Sequence, residues 1–148
     1  MIHNRKIRWT LLFSFVVVIF GCSNEIQPGD PTVAGRWYTA AQVELGRSHF
    51  LRQCADCHGE VAEGTADWRK TDANGNYPPP PLNGTAHGWH HPLSILERTV
   101  ADGGVPLGGV MPGFSETLSK DEARATIAYF QSFWSDDIYT HWQEINSR

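Results

Sequence analysis

Two thiols stand two residues apart at Cys54 and Cys57, and an imidazole, His58, directly follows the second. Three chemistries use such spacing: half of a zinc site, a thiol–disulfide redox pair, and covalent attachment of a haem. Cysteine arithmetic separates them. The chain has three cysteines, and the third, Cys22, lies at the end of an apolar N-terminal run. A structural zinc site needs about four N or S ligands, no second C-x-x-C follows, and His58 abuts Cys57 in a geometry awkward for a chelate with both thiolates. A thioredoxin-like pair needs a βαβ setting, and no strand-like alternation surrounds these residues. C-x-x-C-H is the pattern of covalent haem c. On one helical turn the two thiols can reach two vinyl groups of one porphyrin, with the adjacent imidazole under the iron as an axial ligand. One such pattern without an internal repeat means one haem.

Elements on both sides must position these residues. In "RWYTAAQVELGRSHFLRQCADCHG", Thr39 reads as an N-cap, and Val43, Gly46, Phe50 and Cys54 recur at spacings of three and four, which predicts a helix. A glycine inside a helix costs about 1 kcal/mol, so Gly46 marks a close helix crossing. Residues 60–92 read as a long loop, with Pro78, Pro79, Pro80 and Pro81 forbidding helix and central strand. A loop of that length in a compact domain is functional or wraps a cofactor. "LSILERTVADGG" predicts a short helix ended by Gly103 and Gly104, and "VPLGGVMPGF" a glycine-rich turn carrying Met111. "LSKDEARATIAYFQSFW" is the clearest helix, with a capping box at Ser119 and Glu122 and an apolar face of Ala123, Ile127 and Phe130. "SDDIYTHWQEINSR" is expected to be a polar tail whose Ile138, Tyr139 and Trp142 pack back.

The 148 residues read as one domain. Six Trp, seven Phe and four Tyr are a heavy aromatic load for it, as suits packing of something flat and apolar. Residues 1–21 read as an export signal: Arg5, Lys6 and Arg8 precede an apolar run from Trp9 to Phe20 that is too short to span a bilayer comfortably. "IFGC" resembles the lipobox of bacterial lipoproteins, which makes Cys22 the expected lipidation site and 22–36 a flexible tether to a membrane. Residues 37–148 form the expected folded domain. Ser23 after the cysteine resembles the sorting signal for an outer membrane. Three of the twelve Lys and Arg lie in the signal, so nine face sixteen Asp and Glu in the rest. Such acidity argues against a nucleic-acid partner and for a redox partner with a basic docking surface.

Taken in order, the motifs resemble the class I c-type cytochromes with a single haem, over residues 36–134, and within them the proteobacterial periplasmic and lipoprotein cytochromes. "CADCH" matches the haem site, "PPLNG" the proline-containing loop after it, and "MPGF" with the helix that follows it the distal methionine loop and C-terminal helix. The resemblance implies an all-α fold: a small helical bundle wrapped around one covalent haem c, with the first and last helices crossing so that Gly46 and Phe50 meet the face that includes Tyr129. It implies Met111 as the second axial ligand beside His58. It also implies that Pro80 gives its carbonyl to His58, with Pro79 or Pro81 as alternatives in this run. Trp89 or Tyr77 would bond a haem propionate or simply pack. His87, His90 and His91 are rival iron ligands or solvated loop residues, and the adjacent His90 and His91 could form a copper pair. The 68–92 region is longer than the mitochondrial-type pattern, so its role is not inherited.

An iron with protein on both axial faces leaves no open position, and no acid–base pair is recognisable. The resulting expectation is a lipid-anchored periplasmic electron carrier rather than an enzyme. Its alternatives are a cytochrome subunit of a larger oxidase or dehydrogenase complex, a haem whose iron opens by loss of Met111, and a haem or copper sensor using the "HGWHH" loop.

Overall fold

The computed structural model describes residues 29–147; the expected export signal at 1–21 and the expected lipidation site Cys22 lie outside the described residues. The expected all-α class is what the chain adopts. Among the described residues five α-helices follow in order: α1 Ala40–Gln53, α2 Ala55–His58, α3 Leu93–Asp102, α4 Lys120–Gln131 and α5 Asp136–Asn146. Short 3₁₀ turns occupy Gly88–His90 and Val105–Leu107. Two isolated bridges, Thr32 with Thr39 and Tyr77 with Gly109, are the β-type pairings among the described residues.

α1 starts where the sequence says it must. Thr39 accepts from the Gln42 backbone N–H at 3.1 Å while the Gln42 side chain accepts from the Thr39 N–H at 2.9 Å, so two otherwise orphaned donors are satisfied reciprocally. Ser119 and Glu122 do the same for α4. The two helices cross at Gly46, where a Cβ would overlap the Ala125 carbonyl. Absence of a side chain there lets the backbones touch. One turn on, the Phe50 ring lies 5.2 Å from that of Tyr129, as the resemblance implied. At the N-terminal end of α4, buried His49 of α1 approaches the Glu122 carboxylate at 3.5 Å.

The chain differs from expectation at its C-terminal end. Residues 136–146 are not an irregular tail but helix α5, capped by the Ser135 hydroxyl and led by Asp136 and Asp137, whose charges suit a helix N-terminus. Tyr139 and Trp142 are 2% and 1% exposed. Tyr139 and Asp136 clasp the segment before α1: the Trp37 N–H donates to the Tyr139 hydroxyl at 2.8 Å, and Arg36 lies over the Tyr139 ring at 4.0 Å while pairing with Asp136 at 2.7 Å. Of the stretch read as a tether, residues 29–36 are described, and its last residue is thus tied into the fold.

Replacing Gly46 with Ala gains about 1 kcal/mol of helix propensity but forces the crossing apart, so a net loss of roughly 1–3 kcal/mol is expected in urea unfolding; an unchanged midpoint would mean the helices can shift to accept a methyl. The Glu122 carboxyl is held below its usual value by the Ser119 N–H and hydroxyl, with small help from His49 and Arg52. A carboxyl lowered on folding adds stability above its ordinary range and loses it as pH falls through the lowered value. Glu122→Gln should therefore flatten the acid side of the melting profile, modestly because the carboxylate is partly exposed, and leave neutral-pH cofactor spectra unchanged.

Candidate functional site

Cys54 ends α1 and begins α2, in an αR conformation that carries the helical path through both. The Cys57 and His58 N–H groups both bond back to the Cys54 carbonyl, at 3.1 and 2.9 Å. This turn brings the two thiols and the imidazole to one side of the chain. The thiols form no disulfide; Cys57 is exposed and Cys54 half-buried. Burial, helped by the neighbouring Cys57, pushes the Cys54 thiol up to about 11, so the free thiol is protonated at neutral pH.

His58 is the buried member, 6% exposed. Its Nδ1 lies 2.9 Å from the Pro80 carbonyl. A carbonyl can only accept, so Nδ1 must carry the proton, which leaves the lone pair on Nε2. Burial also holds the ring pKa below its usual 6.5, against the opposing effect of the Pro80 bond, so the imidazole is neutral. A neutral, oriented imidazole with one free lone pair is what an iron ligand requires.

The loop after His58 builds the wall that supplies this carbonyl. Gly59, Ala62 and Gly64 all take positive φ, at 75°, 59° and 58°. The chain thereby folds back on the proline run: Gly64 N–H bonds to the His58 carbonyl at 2.7 Å, Thr65 N–H to Pro79 at 2.9 Å and Leu82 N–H to Ala62 at 2.8 Å. At Gly64 a Cβ would overlap the Pro80–Pro81 peptide.

Met111 is half-buried against the core. Its loop is stitched to the end of α3 by bonds from Gly104 N–H to the Met111 carbonyl at 2.9 Å and from Phe114 N–H to Val100 at 3.0 Å. Gly103 and Gly113 permit that approach, since a Cβ on either would crowd the facing backbone. Tyr77 joins from the other side, its N–H bonding to Gly108 at 2.9 Å. Val105, Leu107 and Val110 on this loop are exposed, as is Tyr77.

The remaining candidates make ring contacts within residues 68–91. Trp68 stacks on His87 at 4.8 Å, Trp89 lies 3.8 Å from the His90 ring, and His87 meets His91 edge-on at 5.4 Å. Trp89 packs against the core. Burial and the neighbouring histidines hold His87 and His91 below the usual value. Among the described residues no group of three or more His, Cys, Asp or Glu side chains is arranged to hold a metal ion. The donor chemistry at α2 does fit a covalent haem: two thiols on one turn beside a neutral imidazole with a free lone pair.

Sequence reasoning did not single out Gly59, Ala62, Gly64 or Trp134, whose indole N–H reaches the Leu82 carbonyl at 2.7 Å. The glycines were visible as turn formers; the tryptophan's partner, fifty-two residues away, was not.

A profile of the family described as "Cytochrome C oxidase, cbb3-type, subunit III" matches residues 41–130, more than half of the chain. No curated protein and no solved structure gives a significant match. Among the described residues no helix is long and apolar enough to cross a membrane.

Gly64→Ala both strains a positive φ and collides with the proline wall, so it should cost about 1–3 kcal/mol and disturb His58. The check is urea unfolding together with the His58 ring resonances; loss of stability with unmoved resonances would separate the loop from the imidazole.

Proposed function

The chain belongs to the cbb3-type cytochrome c oxidase subunit III family and binds haem c covalently, and on that premise we propose that Cys54 and Cys57 hold the haem and that His58 and Met111 are its axial ligands. The single observation that carries this reading is the His58 Nδ1–Pro80 bond at 2.9 Å, since it leaves a neutral ring with Nε2 as its only free donor atom. The bound group supplies a one-electron ferrous–ferric couple, whose potential a thioether ligand raises relative to two nitrogens.

The chain's own residues do the rest. Pro80 fixes the tautomer and ring plane of His58 and strengthens it as a donor. The glycine-tied 103–113 loop presents Met111 from a backbone fastened to α3, so the sulfur can be held against both oxidation states without large movement. The aromatic core behind the site, Phe50, Tyr129 and Trp134 among it, excludes water. The protein is an electron-transfer haem protein, and its partners are redox proteins. Contact with them is proposed at the exposed apolar loop bearing Val105, Leu107 and Val110; residues 103–115 carry no charged side chain. The surrounding acidity favours a partner with a basic rim. Cys22, lipidated after removal of residues 1–21, would tether the domain through residues 22–36 to a membrane of the cell envelope, the outer one favoured, and raise its effective concentration near membrane-bound partners.

The family description favours one second reading, in which the chain is a subunit of an oxidase complex. Retention of a larger complex through mild-detergent purification would select it; a monodisperse chain that exchanges electrons with added carriers would select the free carrier.

The absorption spectrum of the matured protein tests the site. A haem c spectrum that keeps its colour through acid–acetone extraction, with a weak long-wavelength sulfur–iron band when oxidised, is expected. Met111→Ala should remove that band and open the reduced iron to carbon monoxide. An unaltered band in this variant would take Met111 off the iron.

A further inference from the structure

Trp134 lies beyond the matched residues 41–130, yet its side chain ends on the strip of chain that orients His58. We propose that Trp134 is a positioning residue for this histidine: its indole N–H anchors the 79–82 strip and thereby sets the strength of the Pro80–His58 hydrogen bond and the reduction potential. The inference rests on the reading of His58 as an iron ligand.

The reason lies in what four prolines cannot do. Residues 78–81 have no N–H group between them, so the strip can be fastened only by its carbonyls until Leu82. Three of those carbonyls are engaged: Pro79 by the Thr65 N–H at 2.9 Å, Pro80 by His58 at 2.9 Å, and Leu82 by Trp134 at 2.7 Å. The Leu82 N–H donates to Ala62. Thr65 and Ala62 belong to the turn that follows directly on His58 and travels with it. Trp134 comes from elsewhere, just past the end of α4, so its bond ties the strip to the helical core independently of His58.

Trp134 is itself firmly placed. It is 2% exposed, its N–H bonds to Gln131 at 3.0 Å, and its carbonyl accepts from Arg36 at 3.2 Å. Its ring packs 6.2 Å from Phe130 and 6.0 Å from Trp142. A Cβ on Gly84 would stand 3.1 Å from its Cδ1, so the turn after the strip lies directly against the ring. Between the Leu82 and Pro80 carbonyls the φ of Pro81 is fixed by its own ring, which leaves few soft torsions to absorb a displacement. A part-buried carbonyl that loses its donor seeks another partner. The strip would shift, and the Pro80 bond would lengthen. A weaker bond at Nδ1 makes the imidazole a poorer electron donor to iron, which favours the ferrous state and raises the potential.

The test is an equilibrium redox titration of the full, haem-loaded chain as wild type, Trp134→Phe and Trp142→Phe, with the His58 ring resonances followed alongside. Trp142 is the matched control: it too is a buried indole, but it donates to the His91 carbonyl at 2.9 Å, outside the strip. The expected result is a potential shifted to more positive values in Trp134→Phe, with moved His58 resonances, and a wild-type potential in Trp142→Phe. A wild-type potential in Trp134→Phe with an intact haem spectrum would overturn the inference and leave the site reading standing. Equal shifts in both variants would overturn it too, by marking a general loosening of the core. Should Trp134→Phe fail to fold, site-specific replacement of Trp134 by benzothienylalanine keeps both fused rings, removes only the N–H, and must show the same shift. A wild-type protein without histidine-ligated haem would overturn the site reading itself and the inference with it.

Discussion

The contact on which the fold rests is the crossing of α1 and α4 at Gly46, where the glycine backbone lies directly on the Ala125 carbonyl. Everything the site needs is delivered from there. α1 runs from the crossing to Cys54, and its path continues through the turn that presents Cys57 and His58. α4 runs from it towards Tyr129, Phe130 and, just past its end, Trp134. A side chain at position 46 would separate the helices and carry the thiols and imidazole away from the wall that receives them. The crossing is sharp because it is backbone on backbone: side chains can change rotamer, but a peptide unit in a helix cannot give way.

The second constraint is the way His58 is held. Its Nδ1 partner comes from a segment with no backbone donors of its own, so that segment is fastened from outside by donors of the 59–65 turn and by an indole. Positive φ at Gly59, Ala62 and Gly64 makes the turn tight enough for the chain to double back. The same device recurs around Met111, where glycines at 103, 104 and 113 let a loop lie against the end of α3. Both proposed iron ligands thus sit next to backbone made close by absent side chains. Such a construction suits electron transfer, in which little should move when the charge on the metal changes.

The C-terminal helix α5 extends this scheme beyond the matched family region. It takes hold of the chain before α1 through Tyr139 and Arg36, of the loop before α3 through Trp142 and His91, and of Leu93 through Asn146. The point at which the N-terminal segment leaves the domain is therefore fixed relative to the site. For a domain proposed to work from a lipid anchor, that fixes the direction from which the haem-bearing face is tethered.

The sequence by itself determined the chemistry, the helices and the crossing. C-x-x-C-H names its cofactor because the thiols and imidazole are neighbours in the chain, and one helical turn is enough to bring them together. Thr39, Gln42, Ser119 and Glu122 mark helix starts because capping is a contact over three residues. Gly46 announces a close approach because it is costly in a helix without one. Even α5 was written locally, in Ser135 followed by two aspartates, although its polar composition reads as a tail. Only tertiary structure decided the rest. Which of four prolines faces His58, where the Trp134 N–H ends and what Trp89 packs against all depend on residues brought together from far along the chain. Adjacent prolines are locally equivalent; which carbonyl is chosen depends on how the 59–65 turn and the end of α4 close on them. The physical difference is the range of the interaction: spacing within a turn can be read along the chain, whereas a hydrogen bond across fifty-two residues exists only once the helices have crossed.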